Sequence, residues 1–111
     1  MRIESAPCVA IDWRRAEVMT QPGASGTATS RVQAAGDVRV RLVEYSPGYL
    51  ADHWCSKGHV IYVVSGALAI EHEEGTPPRF LEPGMSWCVG DGEGPAHRVR
   101  SEAGATVFIL D

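Results

Sequence analysis

From residue 38 onward the chain breaks into short β-like runs, each closed by glycine or proline, and this punctuation leaves few folds open. DVRVRLVEY alternates, with Val38, Val40 and Leu42 on one face and Arg39, Arg41, Val43 and Tyr45 on the other; SPGY then turns the chain. HVIYVVSG is rich in β-branched residues and stops at Gly66, and ALAIEH places Leu68, Ile70 and His72 on one face. RFLEPG, MSWCV, HRVRS and ATVFILD follow, separated by the turn clusters EEGTPP, GDGEGP and EAG. Strand-like runs about every 8–12 residues, with no sustained helical spacing, predict a sandwich or barrel. The expected class is all-β.

A length of 111 residues fits a single domain. The boundaries expected are an N-terminal segment over 1–35, with a flexible Gly/Ser/Thr-rich loop at Thr20–Ser30, and a barrel over 36–111. The pattern around Val9–Trp13 fits a short strand or a helix equally well. A net charge of −4 gives no basic footprint, so neither nucleic acid nor an anionic membrane surface is expected as a partner. No apolar run approaches the ~18 residues of a membrane span, and no secretory signal is expected at the N-terminus. Cys8, Cys55 and Cys88 are an odd, scattered set, which points to free thiols in a reducing compartment, by default the cytoplasm.

The segment that carries chemistry is Gly48-Tyr-Leu-Ala-Asp-His53-Trp-Cys55-Ser-Lys-Gly-His59. If 52–56 is extended, His53 and Cys55 share a face about 6.6 Å apart, close enough to lean onto one ion. Ser56-Lys57-Gly58 supplies a turn that can bring His59 back beside them, and His97 joins only if the fold closes. Imidazole and thiolate suit zinc, and imidazole also suits iron, copper and nickel, whereas calcium and magnesium call for oxygen cages. The expected metal ligands are His53, Cys55, His59 and His97.

These residues resemble the two motifs of the cupin superfamily. The first, G-x5-HxH-x3–4-E-x6-G, is met by Gly48-x4-His53-x-Cys55-x3-His59-x6-Gly66. The second, G-x5-PxG-x2-H-x3-N, is approached by Gly84-x5-Gly90-x-Gly92, with Gly90 in place of the proline and two extra residues before His97, then Ser101. The run Asp52-His53-Trp54-Cys55 with the following KGH is similar to small bacterial cupins described as DHCW-motif proteins. The resemblance spans roughly residues 38–110 and implies a single-domain jelly-roll β-barrel (a double-stranded β-helix) around one transition-metal ion. Zinc or iron leads, with nickel, copper or manganese also compatible, and a homodimer and a small-molecule ligand are implied too. Cys55 stands where the family has its second histidine, His59 where it has glutamate, and Ser101 where it has asparagine.

Three functions remain open at this point: a metal-dependent enzyme acting on a small molecule, a metal-assisted binding or sensing module, and a structural metal site in a non-catalytic barrel. No catalytic residue is assigned. Tyr62, Met85, Trp87 and Phe108 are candidates for the barrel lining or for ordinary core, and His72 is expected at a hairpin tip. Arg39, Arg41 and Arg98 suit either anion recognition or a solvated face. Trp54, alternating with the ligands, is expected to face away from the ion.

Overall fold

The structure, a computed structural model, describes residues 3–111. It is all-β, with no helix among the described residues. In chain order the strands are β1 (Val18–Pro22), β2 (Thr27–Ala35), β3 (Val38–Tyr45), β4 (Tyr49–Leu50), β5 (His59–Gly66), β6 (Leu68–His72), β7 (Arg79–Leu81), β8 (Ser86–Val89), β9 (His97–Ser101) and β10 (Ala105–Leu110). They form a six-stranded sheet, β1-β2-β3-β10-β5-β8, and a four-stranded sheet, β4-β9-β6-β7. Every pairing is antiparallel. The arrangement is consistent with a jelly roll.

Alternation decides which side chains meet between the sheets. Ala105, Val107 and Ile109 of β10 are buried, and the intervening residues are half-buried. Ile61 and Val63 of β5 and Val43 of β3 join them from the large sheet, against Leu68, Ile70 and Leu81 from the small one. Each such side chain contributes roughly 1.5–3 kcal/mol on burial. The same register sends Tyr62 outward, where it is exposed, and Met85 is exposed before β8; only Trp87 of the four lining candidates packs against this core.

The expected loop at Thr20–Ser30 is corrected. Thr20–Pro22 and Thr27–Ser30 lie in β1 and β2, which pair from Val18↔Arg31 to Pro22↔Thr27, leaving only the turn at 23–26. Every residue of β1 is exposed, so the ribbon is held by its backbone ladder and carries no apolar alternation to announce it. Around Val9–Trp13 there is neither strand nor helix.

Gly66 ends β5 with φ +77°, and a Cβ there would lie 2.1 Å from the Gly104 carbonyl oxygen and 2.7 Å from the Ala105 Cα. Both obstacles are backbone, so they cannot swing aside. Gly66→Ala is expected to cost about 3 kcal/mol, read as a lower denaturant midpoint with an unchanged slope.

Candidate metal centre

The loop between β4 and β5 does not continue as a strand. Asp52 and His53 form a bend, and Cys55 makes an isolated bridge to His97, with Cys55 N–H donating to His97 O at 2.8 Å and His97 N–H to Cys55 O at 2.9 Å. This bridge delivers the first residue of β9 to the Cys55 loop. Residues 52–54 are therefore not the extended strand expected, although His53 still lines the same cavity as Cys55. The loop is tied down on two sides. The Gly58 N–H donates to Asp91 Oδ1 at 2.6 Å, and the Trp54 ring packs under the Arg98 guanidinium at 4.3 Å.

Cys55, His59 and His97 each offer a ligand atom, and these atoms all lie within 4.8 Å of one another. His59 Nε2 is 3.5 Å from Cys55 Sγ, about the spacing that two donors adopt around one tetrahedral zinc, roughly 3.5 Å. The Lys57 backbone N–H points at the same sulfur from 3.4 Å. His97 is 3% exposed, and its Nε2 is inaccessible and has no hydrogen-bond partner. Its ring stands edge-on to His59 and Trp87, at centroid distances of 5.2 and 4.9 Å. A buried imidazole nitrogen with nothing to bond is costly unless something occupies the space it faces. A thiol and two imidazoles within 4.8 Å of one another are a donor set that fits a transition metal.

His53 is not part of this group. Its side chain is largely exposed, and its Nδ1 is 2.7 Å from Asp52 Oδ1. It nevertheless lines the same cavity of about 90 Å³, together with Arg41, Cys55, His59, Ile61 and His97. His72 is not at a hairpin tip. It faces His97 across the β6–β9 ladder, and both of its ring nitrogens are buried without partners.

Asp111 was not a sequence candidate. Its side chain is 2% exposed and takes four charge-assisted contacts from three side chains: from Arg39 Nε at 3.1 Å and Nη2 at 3.2 Å, from Arg41 Nη2 at 2.5 Å, and from His59 Nδ1 at 2.9 Å. A carboxylate only accepts, so the His59 proton sits on Nδ1 and Nε2 turns its lone pair toward Cys55. Two of the three arginines thus neutralise a buried carboxylate, and Arg98 bonds Glu71 at 2.8 Å. The signal for Asp111 is its inward place after Ala105, Val107 and Ile109, a lone acid in an apolar row.

Burial pushes the His97 pKa from 6.5 down to about 4, with His59 and His72 adding to the effect. Burial also lowers His59, against the opposing pull of Asp111. For Asp111, burial raises the carboxyl pKa, but Arg41, Arg39 and His59 outweigh it and hold it below the ordinary value. All three groups prefer in the fold the form they have at neutral pH, so their contribution to stability is present there and lost toward acid. For His97 the loss runs from about pH 6.5 down to about 4. In chelator, the metal-free chain is expected to lose about 2–3 kcal/mol from this group between pH 7 and pH 4.5, read by urea unfolding.

A larger cavity of about 500 Å³, lined by Leu68, Phe80, Arg100 and Glu102 among others, shares no residue with the centre. Its arginine, Arg100, is already bonded to Glu71 and Glu102.

No protein-family model and no curated protein matches this sequence. Solved structures do match its fold. A sugar phosphate isomerase from a cupin superfamily, from Silicibacter pomeroyi, aligns with a TM-score of 0.69 at 18% identity, over 92% of this chain and 74% of its own. A cupin domain from Bordetella pertussis aligns at 0.58 and 26% identity, over 84% and 96%. Lactobacillus farciminis oxalate decarboxylase aligns at 0.65 and 13% identity, over 90% of this chain and 31% of its own. With two antiparallel sheets and a histidine–cysteine cluster between strands of both, this chain is a small cupin-fold protein.

Proposed function

We propose that this protein holds one transition-metal ion, zinc or iron, on Cys55, His59 and His97, and is a metal-dependent enzyme acting on a small molecule. The observation that carries this reading is the convergence of one thiol and two imidazoles, His97 almost fully buried, within 4.8 Å of one another on a cavity of about 90 Å³. That volume is well below the ~300 Å³ of sites for drug-sized ligands, which restricts the substrate to a few heavy atoms. When bound, the ion supplies a Lewis acid that polarises a substrate oxygen or acidifies a water. Asp111 keeps the His59 proton on Nδ1, while Ile61 and Ile109 form the dry side of the cavity. All three cysteines are free thiols, in keeping with a reducing compartment such as the cytoplasm. The isomerase and decarboxylase folds named above support the enzymatic reading by analogy only.

Three protein ligands leave a coordination position open, as in catalytic rather than structural zinc sites. His53 supports a second reading because it lines the same cavity. As a fourth ligand it would close a zinc shell and favour a structural or sensing role. Metal analysis of untagged protein separates these readings. One ion in the wild type, with most of it retained in His53→Ala, supports the open centre. Severe loss in His53→Ala favours the closed one, and a metal-free wild type rejects both.

A further inference from the structure

The cavity of about 500 Å³ that lies apart from the metal centre is built on the four-stranded sheet. Register sets Phe80 of β7, Ala69 of β6 and Arg100 of β9 side by side in one cross-strand row. Alternation places that row on the face opposite Leu68, Ile70 and Leu81, which belong to the core. The middle member is an alanine, so the row dips between an aromatic ring and a guanidinium, and Ala67 and Ala103 widen the dip. We propose that this cavity is a second binding site, for a small organic ammonium ion with an apolar body.

The cavity floor is pinned in place. Ser101, 2% exposed, donates from Oγ to the Ala67 carbonyl oxygen at 2.6 Å, and the Ala67 N–H donates to the Gly104 carbonyl oxygen at 3.2 Å. A volume of about 500 Å³ falls within the ~300–1,000 Å³ of pre-formed small-molecule sites. Phe80 is 65% exposed, so an apolar ligand body would cover a ring that the fold leaves in water. Charge sets the sign of the polar end. Arg98 donates to Glu71 at 2.8 Å, and Arg100 donates to Glu71 at 3.2 Å and to Glu102 at 3.0 Å, so two cations are matched by two anions. Glu82 also lines the cavity, and no ion pair to it is present among the described residues. The wall therefore carries one carboxylate in excess, on a chain whose net charge is −4. Both favour a cation, and the Phe80 ring adds a face on which an ammonium group can rest. An anion would meet Glu82 and Glu102, with Arg100 already engaged.

Calorimetric titration of the full chain at low salt with 2-phenylethylammonium and, separately, with 3-phenylpropanoate tests this. The probes share a ring and differ in the sign of their charge. The ammonium ion is expected to bind about tenfold more tightly than the carboxylate, with an affinity that falls as salt is raised. Phe80→Ala is expected to weaken it about tenfold and Glu82→Gln about threefold. Ala103→Leu, at an exposed loop position, obstructs one end of the cavity and is expected to weaken it at least as much as Phe80→Ala. The titration should be the same in chelator, because the cavity shares no residue with the metal centre. Equal affinity for both probes, no binding of the ammonium ion, or wild-type affinity in a folded Phe80→Ala chain overturns the proposal. Self-association lost in Phe80→Ala, with no probe bound by the wild type, overturns it in favour of a second copy on this face.

Discussion

His97→Ala is expected to weaken metal binding by about a hundred- to several-thousandfold while leaving the β-sheet signature intact. Structural zinc sites gain roughly 10–16 kcal/mol from their ligand set, so one of three or four ligands accounts for about 3–5 kcal/mol. His97 has further reasons to sit at the top of that range. The ring is almost fully shielded from water, and burial already holds it in the neutral form that ligation needs. The variant should also relieve the cost of burying that imidazole in metal-free protein. His97→Ala is therefore expected to lose metal without losing much metal-free stability, apart from the cavity left beside Trp87. Equilibrium dialysis with zinc, paired with urea unfolding in chelator, separates the two effects. Wild-type metal affinity in this variant would remove His97 from the centre.

Asp111→Ala is expected to fail in the opposite pattern, with both stability and metal affinity reduced. Removing the carboxylate leaves Arg41, largely buried, without its counter-charge. Breaking a buried pair on one side costs about 3–5 kcal/mol, and the half-exposed Arg39 brings the sum toward the lower end because water can solvate it. Metal affinity should drop about 10–100-fold, because His59 loses the partner that fixes its tautomer and ring orientation. Asp111→Asn distinguishes charge from shape: the amide oxygen can still accept from His59 Nδ1, so affinity should recover more than stability. If Asp111→Ala bound metal like the wild type, the carboxylate would serve only the arginines.

These two residues also show where the sequence was legible. Strands β3 and β5 to β10 were visible from residue 38 onward, from β-branched runs closed by glycine or proline and from alternation such as that of Ala105, Val107 and Ile109, whereas the two-residue β4 at Tyr49–Leu50 begins within the stretch read as a turn. The β1–β2 ribbon was not visible, since a strand exposed at every position leaves no apolar mark among small polar residues. In the centre, His97 and His59 were readable because each opens a strand after a glycine-bearing loop. Cys55 was readable by its spacing, although the extended geometry assumed for it was replaced by a bridge to His97. At His53 a bend at 52–53 replaces the extended geometry and brings its Nδ1 to Asp52, yet the side chain still lines the cavity shared with Cys55, His59 and His97. His72 owes its place to the β6–β9 pairing, which no local pattern encodes, whereas Asp111 continues the alternation of Ala105, Val107 and Ile109 and only its partners Arg39, Arg41 and His59 come from other strands.

The claim on which the rest depends is that one sulfur and at least two imidazole nitrogens share an ion. X-ray absorption at the edge of the bound metal tests it directly. If the ion is zinc, the account predicts one sulfur scatterer at about 2.3 Å, with two or three nitrogens at about 2.0–2.1 Å, and loss of the sulfur shell in Cys55→Ser. A first shell of nitrogen and oxygen alone in the wild-type protein would contradict it.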